Sequence, residues 1–217
     1  AGADVHLATK RGSILQSAAI GYEDGCVEVI ERILEAGAEV NAKTIGPYGT
    51  ALHAATTKGN IAAVTCLLEH GADAHMKAGN FGSVLQAAAF IGSISLIRLL
   101  IKHGADVNMS NGGETPLHMA ISIHSHELVQ LLIDRGAEVG ARTSSNETSL
   151  HSAAEKNFVC GAQLLIEHGA DVDASSIYGH RPLHFAVFNK SHDVVRLLVE
   201  HGANSDGIDL AGIRRYG

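Results

Sequence analysis

The sequence has no tryptophan and only 4% aromatic residues. It is rich in alanine and glycine, which is typical of helices that pack closely through small side chains rather than around a globular core. No apolar run approaches the roughly 18 residues of a membrane-spanning helix, and no signal-peptide pattern opens the chain. These absences indicate an intracellular protein, cytoplasmic or nuclear, with no membrane partner.

Positive charge is also scarce. The chain has 16 Lys and Arg against 23 Asp and Glu, for a formal net charge of -7 at neutral pH. Electrostatic binding of nucleic-acid phosphates requires clustered Lys and Arg side chains. The basic pair at one end, Arg214-Arg215, is interpreted as a solvated terminus. We therefore expect no nucleic-acid partner.

Cysteine is rare and its number is odd, with Cys26, Cys66 and Cys160. Cys66 and Cys160 lie in apolar helical stretches. We expect them to be small buried hydrophobic side chains in a reducing compartment rather than parts of a disulfide framework.

Motifs of catalysis and cofactor binding are missing as well. The sequence has no Gly-x-Ser-x-Gly elbow, no glycine-rich run ending in Lys-Ser or Lys-Thr, and no dinucleotide fingerprint. Asp and Glu fall mainly at helix ends and loop starts, where capping explains them. We predict no catalytic residues and no cofactor. The alternative is a ligand-binding or catalytic site assembled from several parts of the chain.

The chain does contain an internal repeat. The dipeptide Gly-Ala recurs with its glycine at residues 2, 37, 71, 104, 136, 169 and 202. A second motif has the same period. It is a leucine with Ser, Thr or Arg two positions before it and Gln or His directly after it. These leucines are Leu15, Leu52, Leu85, Leu117, Leu150 and Leu183. Such a period indicates a stack of short units, each contacting only its neighbours.

Residues 47–79 illustrate one repeat. Thr50 can cap a short first helix, and a second helix is predicted from Ile61 to about His70 because its aliphatic residues have helical spacing. Gly71 can then take the left-handed conformation that ends it. Because neither helix can bury its apolar face alone, stacking of repeats must supply the core.

The fifth repeat departs from this pattern in its second helix. Gly161 and Ala162 stand where the other repeats carry branched residues. Glycine in mid-helix costs about 1 kcal/mol relative to alanine. We predict local fraying of residues 155–163.

Fourteen histidines invite a metal-site interpretation, but the repeat accounts for ten of them. They stand in the helix-start motif, before the terminal glycine, or before the second helix, at His53, His118, His151, His184, His70, His103, His168, His201, His126 and His192. We expect hydrogen bonds at helix ends or between adjacent repeats. His180 and His184 have the spacing of a zinc pair but lack Cys or Glu companions, so we predict no metal site.

These motifs resemble the ankyrin repeat family. The resemblance is carried by Thr115-Pro116-Leu117-His118, by Gly104-Ala105-Asp106-Val107-Asn108 and by the period, over about residues 10–210. It implies a single all-α domain over residues 1–217, a helix-turn-helix solenoid with hairpin-like loops, in which hairpins and first helices line a concave protein-binding groove. The predicted repeats are 10–46, 47–79, 80–111, 112–144, 145–177 and 178–210, with partial repeats at both ends.

Three repeats place Gly before the cap and lack the proline. They contain Gly12-Ser13-Ile14-Leu15-Gln16, Gly49-Thr50-Ala51-Leu52-His53 and Gly82-Ser83-Val84-Leu85-Gln86. This variant resembles ankyrin arrays of filamentous fungi, which are often joined to signalling ATPase modules. Because the chain also starts without Met and stops where another helix should be under way, we expect a fragment of a larger signalling protein.

Candidate binding residues are those at positions where the repeat motif does not require a particular residue type. The residue five positions after the motif leucine varies most, and by the resemblance it faces the groove together with the next residue. Phe90, Ile91 and Ile123 are predicted to form a hydrophobic patch. The candidates for partner binding are Phe90, Ile91, Ser122, Ile123, Glu155, Tyr178, His180 and Phe188. We predict a monomeric, non-catalytic scaffold that binds a protein or peptide.

Overall fold

The computed structural model describes residues 8–9, 12–21, 25–44, 46–80 and 82–208. The chain divides into two compact units, residues 1–111 and 112–217. Each unit is an all-α solenoid of helix-turn-helix repeats, as predicted. The predicted partial repeats at the two ends lie outside the described residues except for residues 8–9, and Arg214-Arg215 also lies outside them.

In the first unit, three helix pairs follow a short antiparallel ribbon within the described residues. The strands are β1 (Ala8–Thr9) and β2 (Gly12–Ser13), with Ala8 opposite Ser13. The helices are α1 (Ile14–Ala19), α2 (Cys26–Glu35), α3 (Ala51–Thr57), α4 (Ile61–Glu69), α5 (Val84–Phe90) and α6 (Ile94–Lys102).

The second unit contributes three further pairs to the described part of the chain. They are α7 (Pro116–Ser122), α8 (His126–Asp134), α9 (Ser149–Glu155), α10 (Val159–Glu167), α11 (Pro182–Phe188) and α12 (His192–Glu200). None of the helices that the structure describes is long and apolar enough to cross a membrane.

The first helix of each repeat begins directly after the residue that stands two positions before the motif leucine. At α5, the Ser83 hydroxyl oxygen accepts a hydrogen bond from the Gln86 N–H at 3.1 Å, and the Gln86 side-chain oxygen accepts one from the Ser83 N–H at 3.1 Å. This reciprocal capping box satisfies two amide groups that the helix cannot. The motif thus sets the start of the helix.

Successive repeats bury one another's apolar sides. In the first unit α1, α3 and α5 pack in one row and α2, α4 and α6 in another; in the second unit α7, α9 and α11 form one row and α8, α10 and α12 the other. The largest fully buried side chains are aliphatic, namely Ile30, Leu52, Leu67, Leu85, Leu96, Ile97, Leu100, Leu117, Ile121, Leu128, Leu132 and Leu150. Each contributes about 1.5–3 kcal/mol when fully buried, so the packing between helices is the main source of stability.

The loops between repeats form hairpins that also stack. The Asn80 N–H donates to the Pro47 carbonyl at 2.8 Å in the first unit, and the Ile177 N–H donates to the Ser145 carbonyl at 3.0 Å in the second. These backbone bonds link the hairpins of neighbouring repeats within each unit. They fix the position of the hairpin residues that are candidates for binding.

Several of the motif histidines hydrogen-bond as expected. The Nδ1 atom of His53 is 2.8 Å from the Thr50 hydroxyl oxygen, and its Nε2 atom is 3.3 Å from the Gly82 carbonyl oxygen of the next repeat. Three of the four histidines before a terminal glycine bond through Nδ1 to the carbonyl four residues earlier, as in His168 to Leu164 at 2.8 Å. These bonds either satisfy backbone groups at helix ends or join adjacent repeats.

The prediction for the cysteines is right for Cys66 and wrong for Cys160. Cys66 is buried, whereas Cys160 is exposed, and both are free thiols. Helix α10 buries Gly161 and Ala162, and Cys160 lies on its other side. An apolar stretch around a residue therefore did not decide which side of the helix that residue occupies.

Candidate functional site

An open pocket of about 440 Å³ lies in the second unit, between the carboxyl ends of α9 and α11 and the hairpin that precedes α11. Its lining combines aromatic rings with one carboxylate and one amide. The lining residues are Glu155, His180, His184, Phe185, Phe188 and Asn189. Three of the predicted partner-binding residues, Glu155, His180 and Phe188, therefore come together here.

The hairpin at the edge of the pocket is held by Ser176. Its buried hydroxyl oxygen accepts hydrogen bonds from the N–H groups of Tyr178 and His180, each at 3.3 Å, and its own N–H donates to the His180 carbonyl at 2.9 Å. Gly179 closes the turn with a φ of +74°, a conformation that favours glycine. Tyr178 is left 75% exposed at the tip, with its ring centroid 6.4 Å from that of His180.

His151 of α9 connects this hairpin to α11. Its Nδ1 accepts a hydrogen bond from the Thr148 N–H at 3.0 Å, and its Nε2 donates to the His180 carbonyl at 3.1 Å. The edge of its ring meets Phe185, with centroids 5.2 Å apart. Burial lowers the pKa of His151, which keeps this connecting imidazole neutral at physiological pH.

His180 and His184 form a stacked pair in the pocket wall. Their ring centroids are 5.5 Å apart and the planes are inclined by 29°. The His184 Nδ1 accepts a hydrogen bond from the Arg181 N–H at 3.1 Å, as the helix-start motif requires. Burial, followed by the positive charge of Arg181, lowers the pKa of His184, so this ring is neutral at physiological pH.

The histidine pair has no third ligand beside it for a metal ion. Within the described residues, no group of three or more His, Cys, Asp or Glu side chains is arranged to hold one. Stacked imidazoles also present their faces to each other instead of directing two nitrogens at one point. We interpret the pair as an aromatic surface.

Glu155 supplies the negative charge of the pocket. It is the exposed last residue of α9, and its carboxylate adds to the effect of burial in raising the pKa of Glu147. Neither glutamate forms an ion pair with any side chain that the structure describes. The pocket therefore has a negative side with no cation bound to it from the described part of the chain.

Two phenylalanines supply the apolar side. Phe188, the last residue of α11, is 86% exposed, whereas Phe185 lies one turn earlier and is partly buried. The Asn189 side-chain amide donates to the Phe185 carbonyl at 2.9 Å and so caps the end of this helix. The exposed ring of Phe188 thus sits on an ordered helix end.

The remaining predicted residues lie elsewhere. Ser122 and Ile123 are exposed at the end of α7 and do not line the pocket. Phe90 and Ile91 lie at the end of α5 in the first unit, where they are 54% and 37% exposed. A shared patch of Phe90, Ile91 and Ile123 stays a prediction.

Three lining residues were not among the predicted ones. His184 was assigned to the helix-start motif and rejected as a zinc ligand. Asn189 follows Phe188, at the second of the two positions that the resemblance directs toward the groove. Phe185 carried a weak signal that sequence reasoning missed, because it is the one aromatic ring two positions after a motif leucine. The other repeats have Ser17, Ala54, Ala87, Met119 and Ser152 there.

Comparison with known proteins agrees with this architecture. A family model described as ankyrin repeats (3 copies) matches residues 52–143 and 123–209, and a second, described as ankyrin repeats (many copies), matches residues 15–68. The first model alone spans more than half of the chain. No curated protein matches the chain.

Proposed function

Because the chain belongs to the ankyrin repeat family, we propose that it is a non-catalytic scaffold that binds a protein or peptide. Ankyrin repeats are generally protein–protein interaction modules. The observation that carries the proposal for this chain is the exposure of two large rings at the pocket, Phe188 at 86% and Tyr178 at 75%. Exposed apolar side chains beside polar ones commonly mark interfaces.

The chemistry of the pocket supports binding rather than catalysis. Among the described residues that line it, none is a Ser, Thr, Cys or Lys that could act as a nucleophile. The Nδ1 of His184 is already occupied by the Arg181 N–H, and the described residues give it no carboxylate that would orient it as a general base. Glu155 and His180 also lack a hydrogen-bonded partner side chain among the described residues that would activate them as nucleophiles, so a catalytic role for the groove is the weaker alternative.

The wider setting of the module follows from the same proposal. The net charge of -7 supports a protein partner over a nucleic acid. We place the chain inside the cell, as a single six-repeat domain within a larger signalling protein, and we expect it to act as a monomer. Phe90 and Ile91 of the first unit, with Ser122 and Ile123 of the second, are proposed as additional contacts.

The test is a comparison of surface variants in partner binding. A partner is captured with the 217-residue chain, and its Kd is measured for wild type, Tyr178→Ala, Phe188→Ala and Val199→Ala. Val199 is the matched control, because it is 44% exposed but lies on the second helix of its repeat. We expect each ring variant to weaken binding about tenfold and Val199→Ala to leave it within about twofold. Equal affinity of all four proteins would place the interface elsewhere.

A further inference from the structure

The pocket in the second unit has features that select the chemistry of the partner group entering it. Resting on the proposed function, we propose that this pocket binds an arginine side chain of the partner, with the guanidinium between the aromatic rings and the Glu155 carboxylate.

The lining of the pocket suits a planar guanidinium. Four of its six lining side chains are rings, Phe185, Phe188, His180 and His184. A planar guanidinium stacks on aromatic faces and is attracted to the electron-rich face of phenylalanine. The exposed Phe188 ring offers such a face on the pocket surface.

The charge of the pocket favours a cation. Glu155 lines the pocket and Glu147 lies close enough for the two charges to interact. A carboxylate or phosphate of a partner would be repelled there, whereas a guanidinium would form a charge-assisted pair with Glu155. A neutral apolar side chain would cover the carboxylate without giving it a hydrogen-bond donor, which costs free energy.

The basic side chains near the pocket form no ion pair with Glu155 within the described residues. The Arg181 guanidinium lies 3.7 Å from the Asp173 carboxylate and also donates to the Asp206 carbonyl at 3.4 Å. Lys156 and Lys190, which follow lining residues in the sequence, are exposed and pair with no side chain that the structure describes. Glu155 is therefore open to a cation from a partner.

Arginine fits better than lysine because of the mixed lining. A guanidinium has a flat apolar face for the rings and an edge of N–H donors for the carboxylate, so it can use both at once. A lysine ammonium is a strongly hydrated point charge that gains less from stacking.

The experiment uses four acetylated and amidated pentapeptides, Gly-Leu-X-Leu-Gly, with X as arginine, citrulline, leucine or glutamate. Citrulline is the matched probe, because it keeps the shape of arginine and loses the charge. Each peptide is titrated into the isotope-labelled 217-residue chain, and Kd is obtained from the amide shifts of His180, Phe188 and Asn189.

We expect the arginine peptide to bind about fivefold or more tightly than the citrulline peptide, and the glutamate peptide to cause no shift at these amides. Glu155→Gln should remove the preference for arginine over citrulline. Glu200→Gln, which removes an exposed glutamate of α12 outside the pocket lining, should keep it.

Equal affinity for arginine and citrulline would overturn the inference. So would an arginine preference that survives Glu155→Gln, or the absence of any shift with all four peptides. Tighter binding of the leucine peptide that is lost in Phe188→Ala would also overturn it but would leave the proposed function standing, since the pocket would still hold a peptide. The proposed function itself fails only in the capture experiment above.

Discussion

Gly161, the third residue of α10, has the ring of Phe158 in the space that a side chain would take. A Cβ atom added at Gly161 would overlap that ring and lie 2.9 Å from Cδ1 of Ile121. Phe158 is itself buried and packs against His124, with centroids 4.9 Å apart. The fraying of residues 155–163 stays a prediction, but this packing gives a reason for the glycine that helix propensity does not.

Replacing Gly161 with alanine should destabilise the protein. In an ordinary helix this change stabilises by about 1 kcal/mol; here we expect a loss of about 1–3 kcal/mol in the free energy of unfolding, because overpacking displaces the Phe158 ring. Urea denaturation measures the difference. Gly140→Ala is the control, because an added Cβ there meets no atom within 4 Å and should change stability by no more than about 0.5 kcal/mol. A more stable Gly161→Ala variant would contradict the packing argument.

The buried motif histidines make stability depend on pH. Burial lowers the pKa of His53 and of His118 from 6.5 to about 4. In the unfolded chain these groups take up protons below about pH 6.5, while in the folded chain they stay neutral. Their stabilising effect is therefore fully present above pH 6.5 and is lost as the pH falls toward 4. At pH 5 the contribution of each histidine to the free energy of unfolding is lower by about 2 kcal/mol.

His53→Gln should reduce this acid sensitivity without removing the helix cap. Glutamine already stands at the equivalent positions Gln16 and Gln86, where it completes a capping box. We expect the fall in unfolding free energy from pH 7 to pH 5 to shrink by about 1–2 kcal/mol, as measured by urea denaturation at both pH values. His103→Gln, at an exposed helix end, should leave the fall unchanged. An unaltered pH dependence in His53→Gln would mean that burial of this ring is not the cause.

Among the larger elements, the hairpins stack so closely that one of two adjacent glycines cannot carry a side chain. Gly112 and Gly113 both have positive φ, +62° and +87°. A Cβ at Gly113 would lie 2.6 Å from Cα of Thr143 and 2.7 Å from the Arg142 carbonyl oxygen, whereas one at Gly112 would meet nothing within 4 Å. The backbone of the next hairpin, at Arg142 and Thr143, therefore packs directly against Gly113.

These two glycines form a matched pair for measuring hairpin stacking. Gly112→Ala should cost about 1–2 kcal/mol, since alanine is strained at positive φ. Gly113→Ala should cost at least about 1 kcal/mol more, because the methyl group also overlaps the backbone of the neighbouring hairpin. Thermal or urea unfolding of both variants supplies the comparison. Equal losses would show that strain within the turn, and not contact between hairpins, requires glycine here.

The helices themselves could largely be predicted from sequence. The second helix of residues 47–79 was expected from Ile61 to about His70 and spans Ile61–Glu69, with His70 as its cap. Capping residues and aliphatic spacing act within a few residues, so they are visible in a single sequence. It was harder to predict which side of α10 is buried. The exposure of Cys160 depends on which neighbouring helices α10 packs against.

At the scale of the whole molecule, the thirteen histidines in the described part of the chain do not join with other side chains into a group of three or more metal ligands. Addition of Zn²⁺ or EDTA should therefore change Tm by no more than about 1 °C, because a ligand raises Tm only by binding the folded state more tightly than the unfolded one. Thermal unfolding monitored by circular dichroism checks this. A rise in Tm with Zn²⁺ that is abolished by His180→Ala would identify the stacked histidine pair as a zinc site after all.

The sequence by itself determined the repeat, the helix starts and ends and the aliphatic core, because these follow from local capping, from backbone conformation and from a periodic apolar pattern. Only the tertiary structure decided which exposed residues meet. Glu155, His180 and Phe188 come from different helices and loops, and their pocket exists because α9, α11 and the intervening hairpin pack together. Surface positions carry no burial pattern that would reveal such a meeting, since solvent accepts any side chain there. For the same reason, Phe185 became part of a site only once its neighbours were in place.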